Sequence, residues 1–523
     1  MQKKLLDFAW ALLVMVATAL GCTKGTVAQP PMPVRAVSHS PTVPLLKGLA
    51  SNPAFRVSVQ VPTGQTEQRY SKASCKVNPE ALGSIRKVDV YLTGAEPFAT
   101  TNLIASMQPT SADFDVPLDL KLPNGLHFLW FSIVLRDEAG IDGRISMHCK
   151  SLTDVSGKRL SVTEDGTSHS KRIGVAIRKG GDDNVNTYRI PGIVTTDKGT
   201  LLAVYDIRYD KSGDLPGNID VGLSRSTDGG RTWSPMKIIM DMGVPHENNG
   251  VGDPAILFDP ATKRIWVAAL WSKGNRSIAG SLPGLSPDTT GQYALVSSDD
   301  DGLTWTAPYT ITPQIKNPAW HLFFAGPGNG IAMKDGTLVF PSQYWDEKKM
   351  PHSTIIYSKD HGRTWTGKIL GPKSNTTESQ VVETTPGTLM LNMRDNRGSF
   401  RSVATTGDLG TSWTEHHTSY STLPDPVCMA SLIKADTWVN GAMREVLFFS
   451  NPNTTSGRYN ITVKASLDLG QTWQPGHQLL VDQRTCYGYS SLTRLDEKTV
   501  GLLYEGVKDL YFVRIPVNEI INK

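Results

Sequence analysis

A repeated octapeptide constrains the fold of this chain more than any other feature of its sequence. The pattern is Ser/Thr-x-Asp-x-Gly-x-Thr/Ser-Trp, and its five copies have their aspartates at positions 228, 300, 360, 408 and 468. Spacings of 72, 60, 48 and 60 residues are typical of propellers and solenoids, in which no unit buries its apolar face alone. Each copy predicts a tight turn, in which the aspartate accepts backbone hydrogen bonds, the glycine supplies a positive φ and the tryptophan packs against the neighbouring unit. We assign these motifs a structural role.

The segment that carries the repeats, residues 173–523, contains short apolar runs of strand type and no convincing amphipathic helix. About 350 residues, divided by a repeat of about 60, predict six units. Six four-stranded units around one axis would form a six-bladed β-propeller, whose loops meet in a shared cleft at one end of the axis.

Residues 53–165 show a different pattern, with apolar runs separated by Gly, Pro, Asp and Asn. Such runs are typical of strands in a small sandwich. The expected fold class is therefore all-β, with a jelly-roll-like β-sandwich at 53–165 and a six-bladed propeller at 173–523. The polar stretch 165–172 separates the two. The apolar runs of the sandwich are Phe55–Val61, Val88–Leu92, Phe114–Leu120 and His127–Leu135.

The first 22 residues indicate a targeting segment. Lys3 and Lys4 precede an apolar run that stops at Gly21-Cys22, which is the pattern of a signal peptide. The end of the run resembles a bacterial lipoprotein cleavage box, although leucine is usual where Ala19 stands. We therefore expect export to the periplasm, the cell surface or the medium, with a lipid on Cys22 as the only attachment to a membrane. Residues 23–52, rich in Pro, Thr, Val and Ser, predict a linker.

The net charge bears on the binding partners, and the cysteine content bears on disulfides and metal sites. The net charge of +4 is close to balance, so the sequence favours neither nucleic acid nor an acidic polymer as a partner. Beyond Cys22 there are four cysteines, and an exported chain permits a Cys75–Cys149 and a Cys428–Cys486 bridge. Buried free thiols are the favoured state, and the spacing does not suggest a metal site.

Five further motifs occur in a recognisable order: Tyr188-Arg189-Ile190-Pro191, Gly252-Asp253-Pro254, Thr377-Glu378-Ser379-Gln380, Leu391-Asn392-Met393-Arg394 and Gly488-Tyr489-Ser490-Ser491. Together with the repeats, which are then Asp boxes, they resemble the bacterial exo-sialidases (neuraminidases). These are glycoside hydrolases built on a six-bladed propeller. The resemblance covers about residues 173–520.

The resemblance implies that three arginines hold the carboxylate of the substrate: Arg189, Arg394 and Arg458. A planar guanidinium meets a carboxylate with two parallel charge-assisted hydrogen bonds and keeps its charge at any working pH. Each arginine alone would be interpreted as a surface charge. Three at positions that match the family favour a carboxylate clamp, and the motif around Arg458 is the loosest of the three.

The resemblance also implies an acid. Asp214 occupies the loop position from which an aspartate protonates the leaving glycosidic oxygen and later activates water. Asp206 and Asp210 are nearby competitors, but Asp214 matches the family spacing best. Arg208, which ends the preceding strand, would lie near the carboxylate or the C4 hydroxyl of the sugar. A glycosidase needs one carboxylic acid that holds a proton near the working pH.

The nucleophile of this family is a tyrosine, because a carboxylate nucleophile would be repelled by the carboxylate on the anomeric carbon of sialic acid. Tyr489 matches the family motif. Tyr487 is a rival that strand alternation does not separate from it. A phenol needs an adjacent base, and Glu378 matches that role. Glu383, five positions on, is predicted to lie on the opposite face of the strand.

Two more residues match supporting positions of the family. Glu505 would orient Arg189, since a neighbouring carboxylate holds a guanidinium in one geometry. Asp253 would bind near the C4 hydroxyl or the N-acetyl group. The apolar subsite for the acetyl methyl is not located by the sequence, although aromatic residues are available in 320–345.

The expected function is a retaining exo-α-sialidase that releases terminal α-linked sialic acid from glycoproteins, glycolipids such as gangliosides, and oligosaccharides. It would act as a monomer without a metal or an organic cofactor. A catalytically silent sialic-acid-binding lectin, an intramolecular trans-sialidase and a non-enzymatic adhesion propeller are the alternatives. Because such sandwiches often accompany sialidases, carbohydrate binding is the leading expectation for residues 53–165, with a structural role close behind.

Overall fold

The computed structural model describes residues 32–274 and 276–521, and the regular secondary structure of this part of the chain is almost entirely β-strand. Its two α-helices are short, α1 at Thr312–Ile315 and α2 at Val517–Ile521. The predicted signal peptide, residues 1–22 with Cys22, lies outside the described residues. Within those residues no helix is long and apolar enough to cross a membrane.

The N-terminal part contains ten strands and one short 3-10 helix at Pro79–Ser84. Strand β7 alternates strictly between exposed and buried residues, as expected for a strand with one face on a core and one in water. In the pairing order, β1 lies beside β3, followed by β8, β5 and β6, while β4 pairs with β7 and β9. The strands are β1 Arg35–His39, β2 Leu45–Lys47, β3 Pro53–Val61, β4 Gln68–Val77, β5 Ile85–Thr93, β6 Leu103–Met107, β7 Asp113–Leu122, β8 Gly125–Leu135, β9 Arg144–Asp154 and β10 Arg159–Glu164.

The predicted linker at 23–52 differs from the structure in its described portion. Strand β1 pairs with β3 and β10, and the three residues of β2 are fully buried. These short apolar stretches become strands because long-range partners complete their hydrogen bonds. No local periodicity signals this pairing.

Five separate sheets follow along the chain. Strand β13 is buried at all eight positions, because both of its faces pack against neighbours. Strand β21 joins the second sheet beside β16, and β27 pairs with β30 as a separate ribbon. The strands are, by sheet, β12 Thr187–Thr195, β13 Leu201–Arg208, β14 Ile219–Ser226 and β15 Lys237–Met240; β16 Val251–Phe258, β17 Ile265–Trp271, β18 Gln292–Ser298, β19 Tyr309–Thr310 and β21 Gly328–Asn329; β20 Leu322–Ala325, β22 Ile331–Ala332, β23 Leu338–Trp345 and β24 Pro351–Ser358; β25 Thr376–Glu383, β26 Leu389–Asp395, β28 Ser402–Thr406 and β29 Thr414–Glu415; β31 Ser431–Val439, β32 Ala442–Pro452, β33 Ile461–Ser466 and β34 Gln478–Asp482; the ribbon is β27 Ser399–Phe400 with β30 Pro424–Asp425. The 3-10 helices at Asp182–Asn184, His246–Asn248 and Ile278–Gly280 lie in connecting segments.

The arrangement is propeller-like, with five separate sheets instead of the six units predicted. The last strands, β35 Ser490–Asp496, β36 Thr499–Glu505 and β37 Leu510–Pro516, pair with β11, Ser170–Arg178. Strand β11 also pairs with β9, so this group continues into the N-terminal strands as one fourteen-stranded sheet. A repeat count cannot reveal the pairing of β11 with β37, because it joins strands about 340 residues apart in the sequence.

The N-terminal strands and the propeller share a core. One apolar cluster contains Phe55 and Phe131 from the N-terminal part together with Tyr205 and Phe512 from the propeller. The polar stretch 165–172, predicted as a boundary, runs into β11, which pairs with both parts. The two parts therefore meet through paired strands and buried side chains.

The Asp boxes form the predicted turns. In the second copy Asp300 Oδ1 accepts a hydrogen bond of 2.7 Å from Thr304 N, and Gly302 has a φ of 82°. Trp305 Nε1 donates to Gly302 O at 3.1 Å, within its own motif. The buried indole N–H of Trp365 has no hydrogen-bond partner among the described residues. Each motif thus satisfies its carboxylate locally, whereas its tryptophan N–H varies from copy to copy.

The four cysteines of the described residues are buried free thiols, the state that the sequence favours. Cys75 and Cys149 lie directly opposite each other on β4 and β9. Within residues 32–274 and 276–521, no group of histidine, cysteine and acidic side chains could hold a metal ion.

Candidate active site

The first arginine is fixed by one buried carboxylate. Arg189 lies on β12 beside Ile190, a β-branched residue that adopts a φ of 57°. Glu505, at the end of β36, is fully buried and accepts hydrogen bonds from Arg189 Nε at 3.1 Å and from Ile190 N at 2.9 Å. Its other oxygen accepts from the backbone N–H of Tyr489 at 2.9 Å. A single side chain therefore ties Arg189 to the backbone of Tyr489.

Tyr489, Glu378 and Arg394 form the centre of the site. The Tyr489 hydroxyl donates a short hydrogen bond to Glu378 Oε1. Arg394 NH1 donates to Glu378 Oε2 at 2.6 Å and to the Tyr489 hydroxyl at 3.1 Å. Burial and the neighbouring Glu378 raise the pKa of the Tyr489 phenol well above its ordinary value, with Arg394 opposing the shift. The Tyr489 phenol is therefore neutral near neutral pH and hydrogen-bonded to Glu378.

Arg458 lies on the other side of Tyr489. Its guanidinium is 5.6 Å from the centre of the Tyr489 ring. Its NH1 donates to Tyr487 O at 2.9 Å and its NH2 to Val427 O at 3.0 Å. Backbone carbonyls hold this third arginine, whereas carboxylates hold the other two.

The three predicted clamp arginines thus surround one tyrosine. Arg189 lies 5.1 Å from the Tyr489 ring centre and 4.9 Å from that of Tyr487. Strands β12 and β26 carry the first two arginines, and the segment between β32 and β33 carries the third. Guanidinium groups from three parts of the propeller give the site the charge and geometry to bind a carboxylate.

Asp214 lies at the edge of this group, in the loop after β13. Its Oδ1 is 2.8 Å from Arg208 NH1 and 3.5 Å from Arg189 NH1. Burial acts to raise its pKa, but the charges of Arg208, Arg189 and Arg394 outweigh burial and place the pKa below the ordinary value. Without a ligand Asp214 is therefore ionised near neutral pH.

A second carboxylate pair lies beneath Arg208. Asp206 accepts from Arg208 NH2 at 2.8 Å and from the backbone N–H of Asp253 at 2.8 Å. Asp253 has a φ of 57°. Burial raises the pKa of both carboxyls, and for Asp253 the charges of Asp206 and Asp214 act in the same direction. The structure thus brings Asp253 and Arg208 into one group with Asp214.

The structure separates the rivals that the sequence left open. Tyr489, and not Tyr487, donates to Glu378. Glu383 accepts from the backbone N–H groups of Lys334 and Gly387, away from the arginines. Asp206 is buried against Arg208, whereas Asp214 and Asp210 are both exposed and Asp214 is the one of these two that contacts Arg208 and Arg189.

Two charged residues of this region were not predicted from the sequence. Arg401 and Asp425 are buried against each other with an N–O distance of 3.5 Å. Arg401 follows a two-residue strand in a polar turn segment, and Asp425 lies in a Pro-Asp-Pro sequence. Both surroundings are typical of exposed turns, so no sequence signal indicated their burial.

Known proteins resemble this chain over most of its length. A family model described as a BNR repeat-like domain matches residues 190–487. The sialidase of Bacteroides fragilis is 48% identical over 414 residues, which cover 77% of this chain and 75% of that protein. The solved structure of the Hadza microbial sialidase Hz136 matches with a TM-score of 0.85 and 39% identity, over 92% of this chain and 100% of that one. The intramolecular trans-sialidase from Ruminococcus gnavus, at 20% identity and a TM-score of 0.57 over 66% of this chain and 98% of that one, shares the fold.

Proposed function

We propose, from the premise that this chain belongs to the sialidase family, that its site performs the exo-α-sialidase reaction with Tyr489 as the nucleophile and Glu378 as its base. The enzyme is a glycoside hydrolase that acts on terminal α-linked sialic acid of glycans. One observation carries the assignment of residues: the Tyr489 hydroxyl donates to Glu378 within a ring of three arginines.

The arginines bind the substrate through its carboxylate. Arg189, Arg394 and Arg458 present N–H donors around Tyr489, and the carboxylate of sialic acid is bonded directly to the anomeric carbon. Fixing the carboxylate therefore places the reacting carbon next to the phenol oxygen. Such positioning contributes a large part of the rate enhancement of an enzyme.

In the first step Asp214 gives its proton to the glycosidic oxygen, which leaves as an alcohol with the electrons of the broken bond. The Tyr489 oxygen forms a bond to the anomeric carbon, and its proton passes to Glu378. In the second step Asp214 takes a proton from water, whose oxygen attacks the anomeric carbon. The bond to Tyr489 breaks and Glu378 returns the proton. Two displacements at one carbon give net retention.

Substrate binding prepares Asp214 for its role as acid. In the free enzyme the positive charges of Arg208, Arg189 and Arg394 keep its pKa low, against the effect of burial. A bound carboxylate neutralises part of the charge of Arg189 and Arg394, so the pKa of Asp214 rises in the complex. Proton uptake by Asp214 then accompanies the binding of the anionic substrate.

An apolar cluster beside the acid supplies a place for the acetyl methyl group. Leu215, the neighbour of Asp214, packs with Leu270 and Phe324, and Trp345 contacts the same cluster. These side chains come from four segments and lie near the acid loop. We assign the N-acetyl group of the substrate to this cluster, to which Phe324 and Trp345 contribute from the 320–345 region that the sequence left open.

The test of the nucleophile compares two conservative variants. Tyr489→Phe removes the phenol oxygen that would attack, and Tyr487→Phe keeps the ring beneath Arg189. Release of a fluorophore from an aryl α-sialoside should fall at least about a thousandfold in Tyr489→Phe and less than about threefold in Tyr487→Phe. Turnover by Tyr489→Phe within about threefold of the parent would remove Tyr489 from the mechanism.

Product analysis separates the hydrolase from its alternatives. Proton NMR during turnover should show the α-anomer of free sialic acid first, as net retention requires. An anhydro sugar as the first product would favour the intramolecular trans-sialidase. Binding of a sialoside without turnover in the folded protein would favour the lectin.

The architecture around the site completes the proposal. We assign β11, β35, β36 and β37 to a sixth blade. In this blade β11, which comes first in the sequence, pairs with β37 and closes the ring. The N-terminal strands, 53–165, would form a carbohydrate-binding sandwich, supported by a cavity of about 570 Å³ between Trp130 and Phe98 on one side and Arg484 on the other. Weaker binding of desialylated glycans by Trp130→Ala in the full chain would test that role. Export and lipidation at Cys22 stay predictions, which mass spectrometry of the mature chain would test.

A further inference from the structure

The third arginine is held differently from the other two. Arg189 and Arg394 are oriented by the carboxylates of Glu505 and Glu378. Arg458 instead donates to two backbone carbonyls, those of Tyr487 and Val427. A backbone carbonyl can orient a guanidinium only if the segment that contains the carbonyl is itself held in place. The position of Arg458 therefore depends on what holds the segment around Val427.

That segment has an unfavourable backbone conformation. Val427 has a φ of 58°, in a left-handed region that β-branched residues rarely adopt. The next residue, Cys428, is held on both sides: its N–H donates to Asp425 Oδ1 at 2.9 Å and its carbonyl accepts from Arg401 NH1 at 2.6 Å. Asp425 and Arg401 thus fix the peptide that follows the strained residue.

The same segment forms the floor beneath the nucleophile. Cys428 and Met429 are buried in one small cluster with Ile190 and Tyr489. The segment therefore contacts Tyr489 through side chains and Arg458 through a carbonyl. A shift of the segment would move both groups relative to the bound substrate.

Arg401 also makes hydrogen bonds to the strand that carries Arg394. Arg401 also donates from Nε to Asn392 Oδ1 at 2.7 Å and from NH2 to Asn392 O at 3.1 Å, two residues before Arg394 on β26. Burial lowers the pKa of the Arg401 guanidinium. A buried ion pair contributes little to stability compared with an apolar pair of the same size. Its partners here are Asn392, on the strand that carries Arg394, and the backbone of Cys428, next to the carbonyl that holds Arg458.

We propose that the Arg401–Asp425 pair is a positioning pair for the carboxylate clamp, acting on Arg458 through the Val427 carbonyl and on Tyr489 through Cys428. The inference rests on the proposed function, because it gives Arg458 the task of binding the substrate carboxylate. Neither residue touches the substrate. Their effect is therefore expected in substrate affinity first and in the chemical step second.

The test is a double-mutant cycle between Asp425→Asn and Arg458→Lys. Asparagine keeps an acceptor for Cys428 N but removes the charge that faces Arg401. We expect Asp425→Asn to raise KM for an aryl sialoside and the Kd of a dehydro-sialic acid inhibitor roughly tenfold, with kcat changed less than about threefold. In the Arg458→Lys background the same substitution should change KM and Kd less than about twofold, since coupled residues are not additive.

The chain offers a matched control. Asp301 is 8% exposed, pairs with Arg225, and accepts hydrogen bonds from Thr196 and Thr200 at 2.8 and 2.7 Å, away from the arginine clamp. Asp301→Asn should lower Tm as much as Asp425→Asn while leaving KM and Kd unchanged. Its effect should add to that of Arg458→Lys.

Each outcome of the cycle decides one point. Additive effects of Asp425→Asn and Arg458→Lys on Kd would overturn the positioning role. An unchanged Kd in Arg458→Lys alone would instead remove Arg458 from the clamp and so count against the proposed function. If Asp425→Asn does not fold, the double variant Arg401→Met with Asp425→Leu replaces the ion pair by apolar side chains. A stable double variant with an unchanged Kd would also overturn the proposal.

Discussion

The aspartates at the Asp-box turns and those at the centre of the propeller have pKa values shifted in opposite directions. At the turns, hydrogen bonds from Thr304 and Thr364 lower the pKa values of Asp300 and Asp360 to about 2. At the centre, burial raises the pKa values of Asp206 and Asp253. A turn aspartate is satisfied within its own eight residues, and a central carboxylate depends on groups from distant segments.

Because of this difference, we expect the turn aspartates to contribute to stability and the central carboxylates to contribute to the reaction. A locally satisfied aspartate stabilises one turn and has no proton to exchange near neutral pH. Glu378 and Glu505, in contrast, join residues about 110 and 316 positions apart in sequence, and each shares its charge with an arginine and a tyrosine. Substitutions at the centre should therefore cost activity, and substitutions at the turns should cost stability.

The largest effect is expected where the comparison can be made within one strand. Glu378 and Glu383 both lie on β25, where Glu383 is buried and Glu378 is partly buried. Glu378→Gln removes the proton acceptor of Tyr489, so kcat should fall about a thousandfold, which corresponds to about 4 kcal/mol of barrier. Steady-state kinetics on an aryl α-sialoside measures this loss.

Glu383→Gln is the control for that variant. Glu383 accepts backbone N–H groups of Lys334 at 2.7 Å and Gly387 at 2.8 Å, and glutamine can serve only one of them. Its Tm should fall while kcat stays within about twofold of the parent. A thousandfold loss in Glu383→Gln, with Glu378→Gln still active, would reverse the assignment of the base.

A smaller effect is expected at the acid, because its importance depends on the leaving group. Asp214→Asn should slow a natural sialyl-oligosaccharide about a hundredfold, or about 2.7 kcal/mol, since an alkoxide leaves poorly without a proton. An aryl sialoside with an acidic phenol should lose less than about tenfold. Asp210→Asn, an exposed neighbour on the same loop, should leave both rates unchanged. Equal losses on both substrates in Asp214→Asn would contradict the acid role.

The pH dependence follows from the low pKa of Asp214. Burial acts to raise the pKa of Asp214, but the charges of Arg208, Arg189 and Arg394 outweigh it. In the free enzyme the pKa of Asp214 therefore lies below the ordinary value of 3.8. The protonated fraction of Asp214 then decreases as pH rises above about 4. For the natural substrate kcat/KM should decrease with it, and this dependence should disappear in Asp214→Asn. A kcat/KM that rises between pH 4 and 7 would show that another group supplies the proton.

The local features could be predicted from the sequence because their causes lie close together in it. The Asp-box turns need only the residues of one octapeptide, and a strand such as β13 follows from an apolar run. Residue chemistry alone left Tyr489 and Tyr487 open, since both have the same spacing on a strand, and the family motif was needed to choose between them. The phenol donating to Glu378 is a contact across 111 residues.

The features that sequence reasoning missed depend on distant pairing. Strand β1 was predicted as part of a linker, because it pairs with β3 and β10 and neither of them is adjacent to it in the sequence. The predicted sixth unit merges with the N-terminal sheet, because β11 pairs with β37 on one side and with β9 on the other. Arg401 resembles an exposed turn residue until the Asp425 and Cys428 segments cover it. Each of these features arises from tertiary contacts that no local pattern encodes.

The smallest effect is expected at the turns, where the comparison predicts stability without activity. Asp360 accepts hydrogen bonds from Thr364 N at 2.9 Å, Thr364 Oγ1 at 2.6 Å and Ser358 Oγ at 2.7 Å. Asp360→Asn should lower the free energy of unfolding by about 1 kcal/mol, because the carboxylate is largely in water, and leave kcat/KM unchanged.

The pH dependence of that loss tests its cause. The pKa of Asp360 is lowered by its hydrogen bonds from 3.8 to about 2 in the folded state, so its contribution is fully present above about pH 4. It is lost as pH falls from about 4 to about 2, where the carboxylate takes up a proton in both states. Denaturant unfolding at pH 6 and at pH 2.5 should therefore show a difference between parent and Asp360→Asn that shrinks at the lower pH. A difference that stays constant would mean that Asp360 acts through packing and not through its charge, and the two classes of carboxylate would then differ less than their hydrogen bonds indicate.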